Sequence, residues 1–242
     1  MNNLHELKTT VFASQCNDKQ ILRTDAILNF FQDLATEHAI ELKTDYNSLK
    51  AASNAFWVIS KVKFKKVGKI SHHDGVTVST WPIKPQSIRF FRDYNIKGEN
   101  GEIHGTSEWC VLDFNSMQLR RLETISYPTE MEHIEKRAEV SPFLRLREEI
   151  NEENYSYTYK AEYSDIDVNG HVNNVVYSKM ALNTFTPNEF DEKNYNAFEI
   201  HFLSQCFLGN EIKIYKKQLE TGVYIEGKVE DKSVFKCLFY NE

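Results

Sequence analysis

Apolar residues recur at helical spacing in residues 24–42, TDAILNFFQDLATEHAIEL. Ile27, Phe31, Leu34 and His38 fall on one face of this segment, and Thr24 can cap its N-terminus. The pattern predicts an amphipathic helix. Alternation of apolar and polar residues then predicts four strands, at 56–65, 75–81, 88–97 and 102–114.

The second half of the chain repeats this order of elements. A strand is predicted at 155–163 and a helix at 173–186, stopped by Pro187. Strands are then predicted at 196–206, 210–219, 223–230 and 233–240. Each half therefore reads strand, helix, four strands, which indicates a duplicated α+β unit with an antiparallel sheet around one long helix. The predicted division is a first unit at 1–122, an acidic linker at 123–154 and a second unit at 155–242.

Composition narrows the class of protein. The chain has 242 residues, of which 41% are hydrophobic and 26% charged, as in globular proteins. No apolar run approaches the length of a membrane helix, and MNNLHELKTT has no signal core, so a cytoplasmic protein without a membrane partner is expected. The four cysteines lack CxxC spacing, and no nucleic-acid or phosphate-loop motif is present. No metal, cofactor or nucleic acid is therefore expected.

Charge is distributed unevenly along the chain. The net charge is −6, and residues 123–154 hold nine Glu against four basic residues. In contrast, KVKFKKVGK at 61–69 carries five Lys and no acid. Strand alternation predicts one apolar face here, with Phe56, Val58, Val62 and Phe64, and one basic face, with Lys61, Lys63 and Lys65. The basic face is either a solvated strand face or a surface that steers an acidic partner.

The densest chemistry lies in YSDIDVNGHVNNVVY, residues 163–177. Asp167, Asn169 and His171 alternate, so an extended loop would place the three side chains on one side. A helix begins directly afterwards, and its main-chain N–H groups near Val172 and Asn173 can hold a developing oxyanion. The spacing is therefore typical of an acyl-transfer site. The alternative is a capped turn whose polar groups only satisfy the helix end.

The segment DVNGHVNNVVY resembles the active-site motif of the acyl-ACP thioesterases, the plant plastid enzymes and their bacterial relatives. The resemblance implies a tandem (double) hot-dog fold in which the first unit shapes the acyl pocket and the second is catalytic. It implies hydrolysis of fatty acyl-ACP to free fatty acid and holo-ACP, which ends chain extension. The partner would be an acyl carrier protein with a phosphopantetheine-linked acyl chain.

Asn169 and His171 match the catalytic positions, and Asp167 matches the preceding Asp. The family's downstream Glu-Cys pair is Gln205-Cys206 here.

Two mechanisms are open. In one, the Cys206 thiolate attacks, His171 is the base and Asn169 orients the imidazole. In the other, Asp167 and His171 place a water molecule, while Asn169 and the N–H groups of the following helix polarise the carbonyl. Alternation along the strand predicted at 196–206 favours the water mechanism, because it places Cys206 on the core face and Gln205 on the opposite face.

Other functions and partners are also open. An acyl-CoA thioesterase or a non-catalytic acyl-binding protein would use the same fold, and a homodimer is compatible with it. Phe31 and Trp57 are predicted to line the acyl chain, and Asn173 to contact substrate. Either the Lys-rich stretch 61–69, or Arg89 and Arg92, is predicted to meet the acidic carrier.

Overall fold

The computed structural model describes residues 3–128 and 132–242, and it divides into two compact units, Met1–Val140 and Ser141–Glu242. The first unit contains β1 His5–Thr10, α1 Thr24–Glu41, α2 Tyr46–Ser53, β2 Ala55–Gly68, β3 Gly75–Pro82, β4 Phe90–Lys97 and β5 Gly101–Asp113. Its strands form an antiparallel sheet in the order β1-β3-β4-β5-β2.

The apolar face of α1 packs on this sheet through Phe31. The Phe31 ring stacks on Tyr94 with centroids 4.2 Å apart and meets Phe64 edge-on. Gly105 makes room for the ring, because a Cβ there would lie 2.3 Å from the Phe31 Cε2 atom. Phe31 is only 2% exposed, so burial of this side chain alone contributes roughly 2 kcal/mol to stability.

The second unit repeats the first. It contains β6 Tyr155–Lys160, α3 Asn174–Leu182, α4 Pro187–Lys193, β7 Ala197–Phe202, β8 Glu211–Gln218, β9 Gly222–Val229 and β10 Lys232–Tyr240. The strand order β6-β8-β9-β10-β7 is that of the first unit, with β6 in the place of β1 and β7 in the place of β2. The predicted tandem hot-dog fold is confirmed.

Three helices, α2, α3 and α4, differ from the expectation. The helix predicted at 173–186 ends at Leu182, and Pro187 does not stop it but occupies the first turn of α4. A proline is tolerated there because the first-turn N–H groups have no acceptor within the helix. The short helix α2 lacks enough turns for a clear apolar period and was not predicted.

The predicted alternation of β2 holds for residues 61–65, but it does not extend back to Phe56 and Val58 because the strand contains a bulge. The register against β5 shifts between Ile59 and Lys61, which reverses the two faces from that point onward. Trp57 therefore shares a face with Val62 and Phe64, and Phe56 packs elsewhere, on Phe114. Lys63 is fully buried, whereas Lys61 and Lys65 are half-buried, so this basic face is only partly solvated.

The segment predicted as a linker, 123–154, is divided between the two units after Val140, and its residues 129–131 lie outside the described residues. The buried Asp93 carboxylate accepts hydrogen bonds from Arg137 Nε at 2.8 Å and from Ala138 N at 2.7 Å. In the second unit, Leu144 N donates to Glu199 Oε1 at 2.9 Å. Within 3–128 and 132–242, no helix is long and apolar enough to cross a membrane.

Candidate active site

The motif forms a tight loop between β6 and α3. Ile166 and Val172 pair across the loop as an isolated antiparallel bridge. Inside it, Asp167 N donates to His171 O at 2.8 Å and Gly170 N donates to Asp167 O at 3.0 Å. Gly170 has a φ of 79°, which glycine adopts without steric cost. The predicted site residues thus lie on a defined turn.

The Asp167 carboxylate organises this turn. Its Oδ1 atom accepts the Asn169 main-chain N–H at 2.8 Å and the His171 main-chain N–H at 3.5 Å. Its Oδ2 atom accepts the Asn169 side-chain amide at 3.3 Å. Asp167 is half-buried and Asn169 is exposed. The carboxylate therefore holds the Asn169 amide at the surface of the loop.

The His171 imidazole is half-buried and lies against the ring of Phe207. The two ring centroids are 5.0 Å apart, and the ring planes are inclined at 72°. Asn169 bonds to Asp167, so the expected contact in which Asn169 orients the imidazole is not formed. The Asn–His contact that a papain-like arrangement needs is therefore not found among the described residues.

The N-terminus of α3 differs from the predicted oxyanion site. Asn173 caps the helix, because its Oδ1 atom accepts the Val175 N–H at 2.8 Å. The main-chain N–H of Val172 donates to Cys206 O and that of Asn173 donates to Asp165 O, each at 2.8 Å. These two N–H groups are thus already bonded within the protein and are not free to polarise a carbonyl.

Cys206 and Gln205 lie beyond β7, which ends at Phe202 rather than continuing to 206. The Cys206 side chain is fully buried, and its main-chain N–H donates to the Tyr177 hydroxyl at 3.0 Å. Burial raises the pKa of the Cys206 thiol, against a smaller opposing effect of its hydrogen bond with Tyr177. Gln205 is exposed. The thiol is therefore packed in the core in its neutral form.

The first unit contains a copy of this loop without its chemistry. Cys16 and Leu22 form the matching bridge, and Leu22 N donates to Ile70 O at 2.9 Å. The Asn17 side chain accepts main-chain N–H groups at 3.1 and 2.8 Å, as Asp167 does. By these bonds Lys19 corresponds to Asn169, Ile21 to His171 and Ile70 to Cys206. The loop shape is thus a property of both units, and only the second has an imidazole.

Three residues of this site were not predicted from the sequence. Tyr177 was assigned only to a helix, and Phe207 was part of an unassigned stretch. Asp165 is buried and accepts the Tyr159 hydroxyl on both oxygens, at 3.0 and 2.9 Å. Desolvation, and to a smaller extent this hydrogen bond, raises the pKa of Tyr159 to about 12. The sequence signal for Tyr177 is a difference between the two units, because its counterpart in the first unit is the apolar Ile27.

The predicted acyl-contact residues lie in the first unit. Phe31 is part of the core described above. Trp57 is half-buried, donates from Nε1 to Thr44 O at 2.7 Å and packs edge-on against Phe90. Among the basic residues, the Arg92 guanidinium donates to His38 Nδ1 at 2.9 Å, while Arg89 and Lys69 are exposed. Among residues 3–128 and 132–242, no three His, Cys, Asp or Glu side chains are grouped to bind a metal.

Two family models match the chain: the acyl-ACP thioesterase N-terminal domain over residues 3–127 and the C-terminal domain over residues 148–239. An acyl-ACP thioesterase from Bacteroides thetaiotaomicron has a similar structure, with a TM-score of 0.88 and 19% identity over 99% of this chain and 98% of that one. The 12:0-ACP thioesterase from Umbellularia californica matches with a TM-score of 0.83 and 14% identity, over 99% and 97%. No curated protein sequence matches.

The matched family models, together with the tandem hot-dog fold, place the chain among the thioesterases. With both family models matched over nearly the whole length, the chain belongs to the acyl-ACP thioesterase family. It is a thioester hydrolase that acts on acyl-ACP.

Proposed function

We propose that Asp167, Asn169 and His171 of the second unit hydrolyse fatty acyl-ACP by direct attack of water. His171 takes a proton from the water, and the resulting hydroxide attacks the thioester carbonyl. The exposed Asn169 amide donates a hydrogen bond to the carbonyl oxygen as negative charge develops on it. His171 then returns the proton to the phosphopantetheine thiolate, which releases fatty acid and holo-ACP.

The observation that carries this proposal is the contrast between an accessible loop and a buried thiol. Asn169 is exposed and His171 half-buried, whereas Cys206 has no exposed surface. A thiolate nucleophile must reach the thioester carbon, and burial disfavours both access and ionisation. Gln205 is exposed beside Cys206 and stays a prediction as a further group that holds the water.

The test compares His171→Ala with a matched control in the other unit. Ile21 occupies the same loop position in the first unit, so Ile21→Ala removes a side chain from the same turn without removing an imidazole. We expect His171→Ala to lower kcat on acyl-ACP by roughly a hundredfold or more, and Ile21→Ala to leave it within about threefold. Equal activity in His171→Ala and the wild type would exclude this mechanism.

Substrates of varied acyl length, each carried on ACP and on CoA, define the reaction further. A higher kcat/KM on acyl-ACP at every length supports a role in ending fatty-acid chain extension. A higher value on acyl-CoA would instead support the related acyl-CoA thioesterase.

Trp57, which is half-buried, is the better candidate for lining the acyl chain, since Phe31 fills the core. Trp57→Ala should then shift the length profile.

Carrier binding is best tested at the exposed basic residues, Lys69 and Arg89. Charge reversal there should raise KM for acyl-ACP and leave small soluble thioesters unaffected, because only the carrier is acidic. Reversal at the buried Lys63 would test folding instead.

Light scattering would show whether the 28.3 kDa chain also forms a homodimer. The cytoplasmic location stays a prediction.

A further inference from the structure

We infer that Phe207 is a positioning residue that holds the His171 imidazole in its reactive orientation. This inference rests on the proposed role of His171 as the base. The Phe207 ring makes a T-shaped contact with the imidazole, with centroids 5.0 Å apart. Such aromatic pairs have a preferred geometry, so the contact restricts rotation of the imidazole as well as covering one side of it.

The main chain around Phe207 is fixed on both sides. The preceding residue, Cys206, accepts the Val172 N–H at 2.8 Å and donates to the Tyr177 hydroxyl at 3.0 Å. On the other side, Phe207 N donates to the Asn210 side chain at 2.8 Å, and Asn210 N donates back to Phe207 O at 3.1 Å. The ring is thus carried on a rigid turn that is bonded directly to the loop containing His171.

Comparison of the two units supports a functional role for this ring. The same turn exists in the first unit, where Ser71 N donates to the Asp74 carboxylate at 2.7 Å. There, Ser71 stands in the place of Phe207 and Ile21 in the place of His171. An aromatic ring is not needed to form the turn, and it accompanies the imidazole in the unit that has one. Phe207 also remains 51% exposed, so core packing does not account for it.

The test uses Phe207→Leu, which keeps an apolar side chain but removes the ring, and Phe207→Tyr, which keeps the ring. We expect Phe207→Leu to lower kcat roughly two- to tenfold with KM unchanged, and Phe207→Tyr to restore it. Leu208→Ala, at the exposed neighbouring position, is the control and should leave kcat unchanged. An unchanged kcat in Phe207→Leu, or a raised KM with unchanged kcat, would overturn the inference.

An NMR measurement separates this inference from the proposed function. The ring current of Phe207 should displace the imidazole proton resonances of His171, which the His171→Ala spectrum identifies. These resonances should move in Phe207→Leu and stay in Phe207→Tyr. If His171→Ala were fully active, the proposed function would fail while the contact could still be seen. If the resonances did not move in Phe207→Leu, the positioning role would fail even with His171 essential.

Discussion

Asp167 and Asn17 occupy the same position in two copies of one loop, and each accepts the main-chain N–H groups two and four residues later. The shorter bonds in both cases are 2.8 Å, to Asn169 N in one copy and to Ile21 N in the other. An amide therefore supports this turn as well as a carboxylate does. What Asp167 adds is a negatively charged acceptor for the hydrogen bond from the Asn169 side-chain amide.

Asp167→Asn should consequently separate loop structure from chemistry. We expect an unchanged melting temperature, because Asn17 already builds the same turn, and a kcat about tenfold lower, because Asn169 loses a charged acceptor worth roughly 1.5–3 kcal/mol. Asp167→Ala should lose activity and also about 1 kcal/mol of unfolding free energy. Thermal unfolding and acyl-ACP kinetics check both variants. A fully active Asp167→Asn would assign Asp167 a purely structural role.

Cys206→Ala should retain kcat within about tenfold, because the thiol is buried and its pKa is raised by that burial. Its counterpart Ile70 shows that the position is an apolar core site. Cys237→Ala, at another fully buried thiol, controls for the loss of packing. Steady-state kinetics give the rates, and mass spectrometry of the wild type during turnover should show no acyl group on Cys206. A covalent acyl-enzyme there would reverse the choice of mechanism.

Tyr177→Phe should destabilise the second unit by roughly 1–3 kcal/mol. The hydroxyl is the acceptor for the Cys206 main-chain N–H, and its removal leaves a buried donor without a partner. Tyr155→Phe removes an exposed hydroxyl that bonds Thr158 and should change stability by less than about 0.5 kcal/mol. Urea unfolding of the two variants measures the difference. Equal midpoints would mean that water or another group replaces the Tyr177 hydroxyl.

Lys66→Met should stabilise the protein at neutral pH. Burial lowers the pKa of the Lys66 ammonium from 10.5 to about 8, so its protonated form is disfavoured in the folded state. Below pH 8 the Lys66 ammonium is charged in both the folded and the unfolded state, so the full free-energy cost of burying that charge is present. As pH rises from 8 to 10.5, only the unfolded form still binds the proton, and this cost disappears.

Urea unfolding at pH 7 and pH 10 tests this dependence on Lys66. Wild type should gain stability relative to Lys66→Met as the pH rises, and the difference should be largest at pH 7. Lys65→Met, at the adjacent and half-buried position, is the matched control. Its unfolding free energy should depend on pH in the same way as that of the wild type. A pH-independent difference would show that the ammonium is solvated.

Much of the fold could be predicted because its signals are local. The helical period of residues 24–42 and the alternation in most strands depend only on side chains that are neighbours along the chain. The repeated order of elements then indicated two equivalent units. Local signals failed at β2, where the extra residue between Ile59 and Lys61 reverses the faces, because a bulge is defined by pairing with another strand.

By itself, then, the sequence determined the duplicated α+β fold, the thioesterase family and the loop that carries Asn169 and His171. Only the tertiary structure decided which groups are available for chemistry. The N–H groups of Val172 and Asn173 are already bonded, Cys206 is buried, and the ring that meets His171 belongs to Phe207. The physical reason is that hydrogen-bond partners and burial depend on segments brought together by folding. Tyr177 and Cys206, for example, are 29 residues apart in the chain.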